Sequence, residues 1–109
     1  VSTYYDDIVY MESSKRIINL ITTNVEYQYK GKINDVYNEL PELIFGKTRS
    51  GCIVNYRYVS RVDKSNVWRR RGVDGKEIRL DLGRGRYNDF MTDYTSYITS
   101  ERGKSRRLW

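Results

Sequence analysis

Val25-Glu-Tyr-Gln-Tyr-Lys-Gly31-Lys-Ile33-Asn-Asp-Val36-Tyr37-Asn-Glu-Leu40-Pro41 decides the fold class, because its period changes once along its length. From Val25 to Tyr29 apolar and polar residues alternate, the period of two that turns one face of a strand inward. After Gly31 the apolar residues fall at Ile33, Val36, Tyr37 and Leu40. That spacing of i, i+3, i+4 and i+7 is one face of a helix of about two turns. Pro41 ends the helix, since the residue before a proline is pushed out of helical geometry.

Upstream, Tyr5 to Met11 ends in an apolar run and reads as a buried strand. Ile17 to Thr22 is a second, β-branched run, and Thr23-Asn24 marks the turn before Val25, so the chain opens as a meander. Downstream, Cys52 to Val54 and Tyr58 to Val62 are strand candidates. Asn66 to Arg71 and Lys76 to Leu82 flank Gly72-Val-Asp-Gly75, a hairpin turn with a favoured Asp-Gly pair. The second arm alternates, with Ile78, Leu80 and Leu82 on one face. Tyr87, Phe90, Met91, Tyr94 and Ile98 then recur at helical spacing, predicting a last helix from about Asn88 to about Ile98. The expected architecture is mostly β, with antiparallel sheets, one short inserted helix and a C-terminal helix. Residues 1–99 form the domain, and residues 100–109 a basic C-terminal tail.

The 109 residues fit one domain. Net charge is +6, unevenly spread: residues 1–46 carry −3 and residues 47–109 carry +9. A basic half of that size concentrates near an anionic polymer such as nucleic acid, the alternative being a solvated basic face. A single cysteine forms no internal disulfide, which suits a cytoplasmic protein. No apolar stretch is long enough to span a membrane, and no signal peptide opens the chain. A chain starting at Val1 reads as a fragment of a longer protein.

Histidine is absent, which removes Ser-His-Asp and Cys-His catalysis and nearly all zinc patterns. There is no phosphate-binding G-x-x-x-x-G-K-[ST] run, and Leu82-Gly-Arg-Gly-Arg-Tyr87 lacks the third glycine of a dinucleotide fingerprint. Asp6, Asp7 and Glu12 are close in sequence, but nothing marks them as a metal or acid/base cluster. No enzyme, cofactor or metal is expected.

Three blocks resemble the LytTR DNA-binding domain of LytR/AlgR/AgrA-type bacterial response regulators. Asp7-Ile-Val-Tyr-Met-Glu-Ser13 is similar to the family's D-I-x-Y-I-E-S strand. Phe45-Gly-Lys-Thr-Arg-Ser-Gly-Cys-Ile-Val-Asn55 is similar to F-x-R-x-H-R-S-Y-x-V-N. Leu82-Gly-Arg-Gly-Arg-Tyr87 is similar to the S-R-x-x-Y region before the last helix. The match covers residues 6 to about 98. Arg49 stands where His is common, Gly51-Cys52 replaces a Ser-aromatic pair, and Gly83 replaces a common Ser. The resemblance implies an elongated, sandwich-like β fold whose loops enter successive major grooves at promoter direct repeats. It also implies a receiver or other N-terminal domain in the full-length protein, and direct repeats suit two copies bound head to tail, a possible dimer on DNA.

On that resemblance the candidate DNA-binding residues are Lys15, Arg16, Lys47, Arg49, Ser50, Arg84 and Arg86. Lys15 and Arg16 lie between the first two strands, where a loop presents cations to phosphates and base edges; the alternative is a charged turn. Lys47, Arg49 and Ser50 read as a loop before the strand at Cys52, with Arg49 or Ser50 at a base and Lys47 at phosphate, or else a solvated loop. Arg84 and Arg86 flank Gly85 at the start of the last helix, where backbone amides favour phosphate; the spacing does not say which of the two contacts DNA. Arg69-Arg70-Arg71 reads as a solvated or partner-facing run, with Trp68 marking the inward side of that arm. Arg102, Lys104, Arg106 and Arg107 add sequence-independent charge, and Trp109 is terminal. Asn55 reads as structural, Cys52 as a small buried hydrophobe, and the eleven tyrosines as packing residues. The function expected is sequence-specific binding of double-stranded DNA in transcription. The alternatives are a single-strand or RNA-binding module and a basic protein-interaction domain.

Overall fold

A computed structural model describes residues 4–41, 43–70 and 76–100. Arg71, the 72–75 turn and residues 101–109 of the basic tail lie outside the described residues. The opening meander is β1 (Ile8–Ser14), β2 (Ile17–Thr22) and β3 (Glu26–Lys30), followed by helix α1 (Ile33–Glu39). β4 (Phe45–Arg49) and β5 (Cys52–Asn55) complete a five-stranded antiparallel sheet of order β3-β2-β1-β5-β4. β6 (Val59–Val62), β7 (Asn66–Arg70) and β8 (Glu77–Asp81) form a second antiparallel sheet in sequence order, and α2 (Tyr87–Thr99) closes the fold.

The large sheet carries a hydrophobic core on each face. On one face Ile8, Met11, Ile18, Leu20, Phe45 and Ile53 pack with Ile33 and Leu40 of the α1 region. On the other, Val9, Tyr10, Cys52, Val54 and Tyr56 pack with Val59 and Val67 of the small sheet and Phe90 and Tyr97 of α2. Tyr56 sits at the centre, its ring 5.5 Å from Phe90, 5.7 Å from Tyr94 and 5.8 Å from Tyr97. Each such ring pair adds about 0.5–1.5 kcal/mol beyond burial. Gly46 makes room for that ring, because a side-chain carbon there would overlap the Tyr56 hydroxyl. Nine of the eleven tyrosines belong to or pack against these two cores, so packing rather than base stacking accounts for them.

Four local expectations differ. Tyr5–Asp7 is a turn of 3-10 helix, not strand. The Asn55 amide donates to the Ile8 carbonyl at 2.8 Å and the Tyr5 carbonyl at 3.5 Å, so a side chain takes the place of a ladder neighbour there. Phe45–Arg49, read as a loop from Lys47 onward, is a strand; its register shifts between Lys47 and Arg49, a bulge that breaks the alternation. Ile78 is exposed although it alternates with Leu80. On β7 the inward residues are Val67 and Arg69, while Trp68 faces out under the Arg61 guanidinium, 3.9 Å from the ring centroid. Arg69 is therefore buried, not solvated, with its guanidinium 5.1 Å over the Tyr10 ring.

Candidate nucleic-acid interface

The β1–β2 connection is only Lys15 and Arg16, because Ser14 pairs with Ile17. Both turn residues are left-handed, with φ of 51° and 64°. Two positive-φ residues in a two-residue loop make the turn whose twist matches a hairpin, normally built from Asn and Gly. Here the positions carry two exposed cations instead.

A second turn lies beside the first. Arg49 pairs with Cys52, leaving Ser50 and Gly51 as the β4–β5 connection. Gly51 has φ of +80°, which its missing Cβ allows, and its carbonyl accepts from the Ser13 N–H at 2.8 Å. The end of β1 and the second turn are thus bonded together. Arg49 and Ser50 are exposed, and one Arg49 N–H reaches the Ser50 carbonyl at 3.4 Å.

The third projection is the loop between β8 and α2. The Gly83 N–H donates to the Thr48 carbonyl at 2.6 Å, which fastens this loop to the open edge of β4. The Arg86 N–H closes a tight turn on the Gly83 carbonyl at 3.1 Å, and the Phe90 N–H makes the first helical bond to Arg86 at 2.8 Å. Arg84 is exposed at the tip of this turn, whereas Arg86 is half-buried. A side-chain carbon at Gly83 would lie 3.1 Å from Arg86 Cδ and 3.3 Å from Arg49 Cβ, so the Arg86 stem folds back across Gly83.

Lys15, Arg16, Arg49, Ser50 and Arg84 therefore project from one end of the large sheet, in that order across it. At about 4.8 Å per strand, the first and third projections stand roughly 17 Å apart. Lys47 and Arg86 are directed elsewhere. Lys47 lies mid-strand on the α1 side, with its ammonium 3.3 Å from the Asn34 side-chain oxygen and 4.6 Å from the Tyr37 ring centroid. Arg86 lines a cleft of about 290 Å³ with Tyr37, Lys47, Asp89 and Asp93. The backbone fasteners at Ser13, Thr48, Gly51 and Gly83 have no signature in the sequence, because every residue carries those groups.

Beneath the turns, the Tyr10 hydroxyl donates to the Cys52 sulfur at 3.1 Å. Burial pushes the Cys52 thiol up, against the opposing pull of the Tyr10 bond and Arg49, so it stays protonated and inert. Among the described residues no group of three His, Cys, Asp or Glu gathers to hold a metal, and no helix is long and apolar enough to cross a membrane.

No curated protein matches the sequence. Among solved structures, the fold is similar to the LytTr DNA-binding domain of a putative methyl-accepting/DNA response regulator from Bacillus cereus. The TM-score is 0.68 at 12% identity, covering 87% of this chain and 86% of that one. Residues 1–100 match the model of the LytTr DNA-binding domain family, and the chain belongs to that DNA-binding family.

Proposed function

We propose that the chain binds double-stranded DNA sequence-specifically, as the output domain of a bacterial transcription regulator in the cytoplasm. Lys15 and Arg16, Arg49 and Ser50, and Arg84 are the contacting residues, carried on three turns that follow one face of the duplex. The observation that carries this reading is the fastening of those turns to one another, through the Gly51–Ser13 and Gly83–Thr48 backbone bonds. Splayed arginines extend the row toward the roughly 34 Å between successive major grooves on one face of B-form DNA. Arginine pairs with guanine in two bonds at the groove floor, while lysine supplies charge to phosphate. Of the two arginines beside Gly85, the exposed Arg84 is the contact. The domain comprises residues 1–99, and the basic residues of 100–109 add affinity without sequence preference. A receiver or other N-terminal domain completes the full-length protein, and two copies occupy promoter direct repeats.

The test is the double variant Arg16→Ala with Arg84→Ala, titrated onto a duplex selected from random sequence. Affinity should fall by about 2–6 kcal/mol for two lost base contacts, with the far-UV spectrum unchanged. Wild-type affinity in a folded double variant would remove these two residues from the interface.

A further inference from the structure

Tyr37 packs against the core under α1, and its cleft also takes in two cations, Lys47 and Arg86, that the DNA-facing end does not use. Lys47 comes from β4 and lies over the phenol ring at 4.6 Å. Its ammonium also bonds Asn34, one turn before Tyr37 on the same helix. Arg86 comes from the α2 cap, folds across Gly83 and lines the same cleft. Burial raises the Tyr37 pKa, Asp93 raises it further and Arg86, in the same cleft, opposes them. Asp89 and Asp93 of α2 complete the charged lining.

Helix α1 needs such a tie. It has seven residues, no side-chain N-cap bond, and Ile33 as its one buried residue. A helix of two turns is not stable by itself and takes its position from what holds it. The two cations in the Tyr37 cleft sit next to the proposed contacts: Lys47 is two residues before Arg49, and Arg86 two after Arg84.

We propose that Tyr37 is a positioning residue for DNA recognition, a strut held under Lys47 in the cleft it shares with Arg86, which sets the distance between the Arg49 turn and the Arg84 loop. This inference rests on the DNA-binding reading above. It assigns Lys47 and Arg86 to the strut, not to phosphate. Its effect is on discrimination: the cations still meet phosphates when the strut is lost, but the arginines no longer keep register with base edges.

Tyr37→Phe, Tyr37→Leu, Lys47→Met and Arg86→Met test it, each titrated onto the selected duplex and a random duplex across a salt series. Thermal melting checks the fold of each. Tyr37→Phe keeps the ring and should keep the wild-type ratio of selected to random affinity. Tyr37→Leu should lower that ratio roughly tenfold, the scale of losing one cation–ring contact in a partly buried site. Lys47→Met and Arg86→Met should lower the ratio in the same direction with no change in salt slope. A slope shallower by about 0.9 in either would mean a phosphate contact and overturn the assignment. An unchanged ratio in Tyr37→Leu, or equal loss on both duplexes, would reduce Tyr37 to packing. A wild-type chain with no preference between the duplexes would overturn the DNA reading and the strut together, whereas a discriminating wild type beside an equally discriminating Tyr37→Leu overturns the strut alone.

Discussion

Lys15 and Arg16 hold left-handed backbone in a turn where Asn and Gly are the usual residues. A left-handed conformation costs a residue with a Cβ about 1–2 kcal/mol, so stability is given up at the tip of the hairpin. Strain of this kind persists where function requires the side chain. Replacing the pair, Lys15→Asn with Arg16→Gly, should stabilise the fold by about 1–2 kcal/mol in urea unfolding while weakening DNA binding. A variant that binds as tightly as wild type would show that the turn is only a charged surface. The cations of this turn were legible in the sequence, but the strain was not, since nothing in Ser13-Ser-Lys-Arg16 announces positive φ. Arg86 shows the opposite limit. Its charge and position read the same as those of Arg84, and only the fold over Gly83 separates an exposed arginine from a half-buried one.

At the scale of elements, the change of period at Gly31 was enough to find β3 and α1, because each has one side turned toward the core and one solvated side. The last helix was legible for the same reason, although of its two buried residues the spacing named Phe90 and passed over Tyr97. β4 was missed because Phe45-Gly-Lys-Thr-Arg49 has neither a steady alternation nor an apolar run; a bulge and a glycine under Tyr56 replace them. β7 misled in another way. Three consecutive arginines read as a solvated run, yet the period of two in a strand sends alternate residues inward, and Arg69 lies against Tyr10. Arg69→Ala should therefore destabilise by about 2–3 kcal/mol through lost packing and the lost ring contact, while Arg70→Ala stays within about 0.5 kcal/mol. Chemical denaturation of the two variants decides it, and equal effects would contradict the buried placement.

For the whole molecule, charge and chemistry are separated in space. Two tyrosines and the thiol are enclosed between the sheets, and burial raises the pKa of Tyr10, Tyr56 and Cys52. Unfolded, these groups lose protons near 9 to 10; folded, they keep them, so over that range the unfolded chain binds fewer protons. Stability is then present below pH 9 and declines as pH rises beyond it. With no histidine to titrate, Tm should be nearly level from about pH 6 to 8 and fall above about 9 in calorimetry. A fall starting near neutrality would contradict the burial of these groups.

Exposed cations at the opposite extreme, gathered by backbone bonds at one end of the large sheet, are the basis of the DNA reading. Equilibrium titration of a selected duplex, a random duplex and the single strand across a salt series tests it most directly. The selected duplex should bind at least about 10³-fold tighter than the random one. With about four phosphate-range cations on the turns, log K should fall against log salt with a slope near −3.6, and more steeply with the basic tail engaged. Tighter binding to the single strand, or affinity indifferent to both sequence and salt, would contradict it.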